Sequence, residues 1–197
     1  MRPRENGEGS DLGNPSANWV ALLRGVNVGG KSKLPMASLV SDLAKIGLSP
    51  MRSYLQSGNL VFRASASSAD GLAKKIGERL REGFGLDIPA LVVGADEFLT
   101  AAAANPFPEA EGAAEGRALH LFFLEAMPEA VDSERLNARR APTESWTVVG
   151  RVFYLHAPEG FHTSKLAAGV ERILGVRATA RNWRTVSQIR EMVRGFP

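Results

Sequence analysis

The spacing of apolar residues along the chain predicts an alternation of strands and helices. Residues 19–26 are apolar at both alternating sets of positions, which indicates a strand buried on both faces. A helix is predicted to begin at Pro35, since proline is tolerated in a first helical turn, and to end at Gly47. The runs that follow predict a strand, a tight turn at Ser57–Asn59, a returning strand, a helix over 68–83 and a strand over 87–93.

The same order of elements, β-α-β-β-α-β, is predicted again in the rest of the chain. A short alanine-rich helix over 96–104 and a linker over 105–117, rich in proline, glycine and acidic residues, separate the two copies. The second copy contains a strand over Ala118–Leu124, a helix from Pro128 to about Arg140, two strands about a turn at Gly150, a helix over 164–174, an extended segment over Val176–Arg181 and a terminal helix over 183–194.

Two copies of this order predict an α+β protein of tandem ferredoxin-like (split βαβ) repeats, each a two-layer α/β sandwich. The N-terminal residues are polar and rich in glycine and proline, which favours disorder. The predicted organisation is a disordered tail over 1–18, a first unit with its linker helix over 19–104, a linker over 105–117, and a second unit with a C-terminal helix over 118–197.

Composition narrows the classes of protein. The chain has 197 residues, 44% of them apolar, which is enough for one sizeable core or for two small domains that share an interface. It contains no cysteine, so disulfides, thiolate nucleophiles, iron–sulfur clusters and cysteine zinc sites are excluded. No apolar run is long enough to span a bilayer and the N-terminus is not a secretory signal, so we expect a cytoplasmic protein.

Charge is unevenly distributed along the chain. The net charge is +3, but residues 165–197 contain seven basic and two acidic residues, whereas residues 96–115 contain five acidic residues and no basic one. A basic end favours an anionic partner near the C-terminus. A solvated arginine-rich helix is the alternative explanation.

The segment Gly25–Ser32, "GVNVGGKS", matches the G-x-x-x-x-G-K-[ST] pattern of phosphate-binding loops in nucleotide hydrolases. In such loops a helix begins at the Gly-Lys-Ser, so that its N–H groups face the phosphates. Here that helix would hold Pro35 in its second turn, where proline lacks a donor and costs about 3 kcal/mol. The helix is therefore predicted to begin at Pro35, and a nucleotide hydrolase is not predicted.

Three motifs together are similar to a known family. "ALLRGVNVGGK", "YLQSGNLVF" and "ATARNWRTV", in this order and spacing, resemble the domain-of-unknown-function 1697 family of bacterial proteins over about residues 18–194. The resemblance implies a cytosolic α+β protein of two ferredoxin-like units, and it implies no activity. The matching positions are Leu23–Gly25, Asn27, Gly29–Lys31, Gln56–Asn59, Thr179, Arg181–Trp183 and Thr185, while "EGFHTSKL" departs from the family pattern and leaves Ser164 and Lys165 as its matching pair.

The motifs contain residue types that bind phosphate. Glycines let a backbone approach a ligand, arginine and lysine supply charge, and Trp183 would supply a stacking wall for a ring. Convergence of the first loop, the hairpin turn and the start of the last helix would form a glycine-rich cationic pocket. Its predicted residues are Arg24, Asn27, Gly29, Gly30, Lys31, Lys33, Ser57, Asn59, Lys165, Arg181, Asn182, Trp183 and Thr185.

Each of these positions also has a structural explanation. Ser57–Asn59 suits a tight turn, and Asn182 suits a helix N-cap. Trp183 suits a core position, which is the commoner place for a lone tryptophan. The glycines after the first strand suit a connection that has to turn.

Metal-dependent and acid–base chemistry are not indicated. His120 lies in an apolar strand, and His156 and His162 have no carboxylate at ligand spacing. No nucleophile is accompanied by a base and an orienting group. No metal, cofactor or catalytic residue is therefore predicted, and whether the protein is an enzyme stays open.

Three functions are compatible with the sequence. The glycine-rich cationic loop favours the binding of a small phosphorylated ligand. Ferredoxin-like sheets often bind RNA through aromatic residues on their central strands, so a nucleic-acid-binding module is the first alternative. A protein–protein interaction module without a ligand is the second.

Overall fold

The computed structural model describes residues 16–27, 33–65, 68–112 and 115–197. The strands are β1 (Ser16–Leu23), β2 (Met51–Tyr54), β3 (Asn59–Ser65), β4 (Ala90–Gly94), β5 (Leu119–Leu124), β6 (Ser145–Val149), β7 (Val152–His156) and β8 (Ala178–Asn182). The α-helices are α1 (Met36–Ala44), α2 (Ala69–Phe84), α3 (Ala95–Ala103), α4 (Ser133–Asn137), α5 (Val170–Leu174) and α6 (Trp183–Arg194). None of the helices within these ranges has the length and apolar character needed to cross a bilayer.

Each half of the chain forms a four-stranded antiparallel sheet. The strand order is β2-β3-β1-β4 in the first sheet and β6-β7-β5-β8 in the second. In both sheets the first strand lies between the third and the fourth, so each crossover skips one strand. This is the split βαβ order of ferredoxin-like units, and the predicted α+β fold of two similar halves is confirmed.

Three hydrophobic cores hold the layers together. The outer face of the first sheet packs on α1 and α2, and the outer face of the second sheet packs on α4 and α5. The third core lies between the inner faces of the two sheets, where α3 and α6 are inserted. Each half is thus a two-layer sandwich, and these two helices join the halves.

β1 shows why a strand of this fold is apolar on both sides. Val20 and Leu22 belong to the central core, whereas Ala21 and Leu23 belong to the core beneath α1 and α2. All four are at most 1% exposed. The prediction of a strand covered on both faces is confirmed, although the strand ends at Leu23 rather than at residue 26.

The predicted tail extends too far. β1 begins at Ser16, because Ser16–Asn18 pair with the end of β3. These three residues therefore belong to the first sheet. Residues 1–15 of the predicted tail lie outside the described part of the chain.

Two predicted helices of the second half are shorter than expected. The predicted helix from Pro128 is confined to α4, because the Asp132 side chain accepts a hydrogen bond from the Arg135 N–H and caps the helix there. The predicted helix over 164–174 begins with a 3-10 turn, in which Ser164 Oγ accepts from the Ala167 N–H, and only α5 is α-helical. Side-chain hydrogen bonds to the backbone thus replace the first helical turn in both places.

Gly58 offers a test of how tightly the first hairpin packs. A Cβ at Gly58 would lie 2.5 Å from the Leu23 Cβ, and the residue has a φ of +72°. We expect Gly58→Ala to lower the free energy of unfolding by about 3 kcal/mol, which combines left-handed backbone strain with overpacking. Urea denaturation measures the change.

The matched control is the corresponding turn of the second half. Gly150 has a φ of +57°, and a Cβ there would meet nothing within 4 Å. Gly150→Ala should therefore cost only the backbone strain, about 1 kcal/mol. Equal losses in the two variants would contradict the close contact with Leu23.

Candidate functional site

The three motif segments meet where the two halves join. Arg181, near the end of β8, donates from Nη2 to the backbone carbonyls of Leu23 (2.7 Å) and Ser57 (3.2 Å). Its Nε donates to Asn59 Oδ1 at 2.6 Å. The residues joined in this way are more than 120 positions apart in the sequence. The predicted convergence of the motifs therefore occurs for the segments that the structure describes.

Arg181 is a half-buried cation held by neutral groups. Its remaining hydrogen bond runs from Nη1 to the Ala180 carbonyl at 2.9 Å. No carboxylate of the described residues pairs with it, and burial lowers the pKa of Arg181 to about 10. A guanidinium has five N–H groups, so four hydrogen bonds leave one of them available. Its positive charge is thus solvated by protein dipoles but not neutralised.

Asn59 orients the acceptor that Arg181 uses. It is fully buried at the start of β3, and its Nδ2 donates to the Tyr54 carbonyl (3.1 Å) and to Ser57 Oγ (3.0 Å). With the amide nitrogen engaged on that side, Oδ1 faces Arg181. The predicted site residues Ser57 and Asn59 are therefore used to hold the arginine rather than being exposed to a ligand.

Arg24 forms a second link between the halves. Its Nη1 and Nη2 donate to the two carboxylate oxygens of Glu171 at 2.6 and 2.8 Å, and the two side chains are 46% and 35% exposed. The hydrogen bond with Glu171 raises the pKa of Arg24. Burial raises the pKa of Glu171, but hydrogen bonds from Arg24 and from the Ala178 N–H outweigh it, so that the pKa lies below its usual value. Three N–H groups of Arg24 have no acceptor within the described ranges.

Asn27 closes the ends of the glycine-rich segment. Its Oδ1 accepts from the Leu34 N–H at 2.8 Å, and its Nδ2 donates to the carbonyls of Leu34 (3.0 Å) and Gln56 (2.6 Å). A φ of +55° lets the side chain turn back in this way, which asparagine tolerates better than most residues. The ends of the segment are thus fastened to the hairpin turn. Lys33 is exposed, whereas the predicted site residues Gly29, Gly30 and Lys31 lie outside the described residues.

A cleft of about 400 Å³ opens beside these contacts. Its charged lining consists of Arg24, Arg181 and Glu171, with Gly25 next to Arg24. The rest of the wall is apolar except for Thr179, and it contains Phe122, Phe161 and four small side chains, Ala167, Ala168, Ala178 and Ala180. The cleft therefore combines two cations and one carboxylate with an aromatic wall.

Phe161 is packed on a buried histidine. The rings of His120 and Phe161 stack with centroids 3.8 Å apart and planes inclined by 16°. Burial lowers the pKa of His120 from 6.5 to about 4. The imidazole is therefore neutral near pH 7 and serves as a flat support for Phe161.

Other predicted site residues lie away from this cleft. Trp183 is only 3% exposed, belongs to the core between the sheets and does not line the cleft. Asn182 caps α6 by accepting from the Thr185 N–H at 2.9 Å, so its side chain and the Thr185 backbone are engaged in the helix start. Lys165 is exposed and lines a different cleft of about 370 Å³, together with Arg139, Arg140 and Glu144.

The charge of Arg181 distinguishes its cleft from the other clefts. A third cleft, of about 390 Å³, also contains arginines, but Arg151 pairs with Glu97 and Arg177 pairs with Glu125. Of the clefts described, only the one at Arg181 contains an arginine that is desolvated enough for its pKa to fall and that pairs with no carboxylate of the described residues. Within the same ranges, no three His, Asp or Glu side chains are grouped so that they could hold a metal ion.

Sequence reasoning missed Phe122, Phe161 and Glu171. Phe161 lies in the segment that departs from the family pattern, so no motif pointed to it. Glu171 carried a signal, since it is one of only two acidic residues in the basic segment 165–197. An isolated acid among arginines is a candidate for a specific ion pair.

Comparisons with known proteins agree on the fold. The family model described as "Protein of unknown function (DUF1697)" matches residues 17–154. Among solved structures, the chain is similar to conserved bacterial protein SP0830 from Streptococcus pneumoniae, with a TM-score of 0.64 and 23% identity, covering 91% of this chain and 99% of that one. At that identity the likeness shows the fold alone. No curated protein matches the chain at a significant level.

Replacing Arg181 tests its role as a link between the halves. Arg181→Lys keeps the charge, but an ammonium cannot reach Leu23, Ser57 and Asn59 with one planar group. We expect the free energy of unfolding in urea to fall by about 3 kcal/mol, because a half-buried charge and several acceptors lose their partners. Arg184→Lys, at an exposed position, should change it by less than about 0.5 kcal/mol. Similar small changes in both variants would refute the role of Arg181.

Burial of His120 predicts a dependence of stability on pH. The unfolded chain binds a proton at this residue near pH 6.5 and the folded chain only near pH 4, so protonation favours unfolding. The stability present above pH 6.5 should decline by about 3 kcal/mol as the pH falls to 4. His120→Phe should remove this part of the decline, as measured by urea denaturation at pH 7.5 and at pH 4.5.

The control for this experiment is His162→Gln, which changes an exposed imidazole on the neighbouring turn. That variant should keep the decline of the wild-type protein. If His120→Phe and the wild-type protein lose the same stability between the two pH values, the assigned behaviour of His120 is wrong.

Proposed function

The chain belongs to the DUF1697 family, and we propose that it binds a small phosphate-bearing ligand in the cleft lined by Arg24 and Arg181. The volume of about 400 Å³ lies within the range of small-molecule sites, roughly 300–1,000 Å³. A mixed wall of charged and apolar side chains is also typical of such sites. These properties support a small ligand rather than a macromolecule.

The observation that carries the proposal is the uncompensated charge of Arg181. A cation removed from water is stabilised when an anion is near, and the described residues offer it none. Arg24 adds three N–H groups to which no described residue offers an acceptor, in the planar arrangement that suits phosphate oxygens. An anion in the cleft would accept hydrogen bonds from Arg24 and offset the charge of Arg181.

The glycine-rich segment remains part of the proposed site. Gly25 lines the cleft, and Asn27 fastens both ends of the segment beside the hairpin turn. We therefore keep Gly29, Gly30 and Lys31 as proposed phosphate contacts. Asn182 and Trp183 are left out, because their side chains are engaged in the helix cap and in the core.

RNA binding is supported less well. An RNA-binding ferredoxin-like sheet presents the face of its central strands to the nucleic acid. Here the inner faces of both sheets are covered by α3 and α6, and the outer faces are covered by the other helices. Strand β5 is buried along its whole length, and the second half of β1 is buried as well.

The proposal is tested by calorimetric titration of inorganic phosphate and ribose 5-phosphate. Glu171→Gln removes the competing carboxylate but keeps an acceptor for the Ala178 N–H, so we expect binding about tenfold tighter than in the wild-type protein. Arg24→Gln in that background should weaken binding by about tenfold or more, because charge-assisted hydrogen bonds are lost. Starting from Glu171→Gln avoids leaving an unpaired carboxylate in the cleft.

The control in the same background is Arg184→Gln, which removes an exposed arginine outside the lining. It should leave the affinity unchanged. The proposal fails if neither compound binds, or if the two arginine variants lose affinity equally. A short RNA that binds with a steep dependence on salt, while the small compounds do not bind, would favour the nucleic-acid alternative.

A further inference from the structure

The cleft has an apolar wall in addition to its two cations. Phe161 and Phe122 line the same cleft as Arg24 and Arg181. A phosphate group alone would gain nothing from an aromatic wall. The wall therefore bears on the part of the ligand that is not phosphate.

The Phe161 ring is fixed in place by its neighbours. One of its faces stacks on His120, whose residue is 8% exposed, and its ring lies 5.8 Å from that of Phe122. Phe161 itself is half-buried. Because His120 covers one face, the part of the ring that borders the cleft is the opposite face or its edge. Burial holds the pKa of His120 at about 4, so the support behind the ring is uncharged at neutral pH.

Small side chains keep the space beside Phe161 open. Ala167 and Ala168 line it from the turn before α5, and Ala178 and Ala180 line it from β8. Alanine ends at Cβ, so none of the four can fill a slot next to the ring. A ring supported by His120 in a cleft that is also lined with methyl groups suits a flat apolar group.

We infer that the ligand carries an aromatic ring in addition to its phosphate, as a nucleoside monophosphate does, with the ring against Phe161 and the phosphate near Arg24 and Arg181. This inference rests on the proposed function. It assigns Phe161 the stacking role that Trp183 cannot fill. Stacking on an aromatic side chain tolerates any base, so the inference does not depend on which base is present.

The test compares the four common nucleoside monophosphates with ribose 5-phosphate and with adenosine by calorimetric titration. We expect at least one nucleotide to bind about tenfold tighter than ribose 5-phosphate, since base stacking is worth that factor or more. Phe161→Leu should reduce this ratio to about twofold, and Phe161→Tyr should preserve it. Phe107→Leu, which alters a half-buried aromatic residue outside the lining, should leave it unchanged.

A second variant guards against damage to the fold. Ala168 is exposed, so Ala168→Leu fills the slot without entering the core. It should lower nucleotide affinity and spare ribose 5-phosphate.

The outcomes separate the two proposals. If ribose 5-phosphate binds as tightly as every nucleotide, the inference that the ligand carries an aromatic ring is overturned, whereas the proposed phosphate site stands. If a nucleotide is preferred but Phe161→Leu and Ala168→Leu keep the preference, the placement at Phe161 is overturned. If no phosphate compound binds, or adenosine binds as well as the nucleotides, the phosphate site and this inference fail together.

Discussion

One half-buried guanidinium links the two halves beside the core that they share. Arg181 extends from the edge strand of the second sheet and ends among the carbonyls of Leu23 and Ser57 and the amide of Asn59 in the first. A charge removed from water is tolerated only while its donors have acceptors. If one sheet slid over the other, these hydrogen bonds would break together. They therefore favour a single relative position of the two sheets. The ion pair of Arg24 with Glu171 adds less, since it is partly exposed.

The family motifs therefore contribute to the contact between the two halves as much as to the cleft. Gly58 and Asn59 shape the hairpin that receives Arg181, Asn182 starts the helix that follows it, and Trp183 fills the core below. Arg24 and Gly25 alone among the described motif residues of the first half line the cleft. Several motif residues are thus engaged in assembling the fold, whereas Phe161, in the wall of the cleft, lies in a segment outside the motifs.

The features that could be predicted from the sequence are the local elements and their repeated order. Apolar periodicity identified the strands, and their order identified two ferredoxin-like units, because both signals depend on neighbours a few residues apart. Long-range pairing could not be read in the same way. The apolar face of α6 requires some cover, but nothing in its spacing says that the cover is two sheets at once. The sequence around Trp183 does not indicate which core the side chain fills. The sequence around Phe161 does not indicate that its ring stacks on His120. The short α4 reflects a capping contact at Asp132, which competes with a longer helix that propensity alone would allow.

The insertion of α6 between the sheets has a consequence for biosynthesis. The ribosome makes this helix after both sheets, yet Val186, Ile189 and Val193 complete a core that includes Val20 and Leu22 of β1. A nascent chain consequently carries apolar surface on its first sheet that α3 covers only in part until translation passes residue 193, and such surface promotes aggregation. A nonsense codon or a proteolytic cut shortly before residue 183 would strip cover from both sheets at once. Loss of one terminal helix would therefore destabilise both repeats together, which couples their stability.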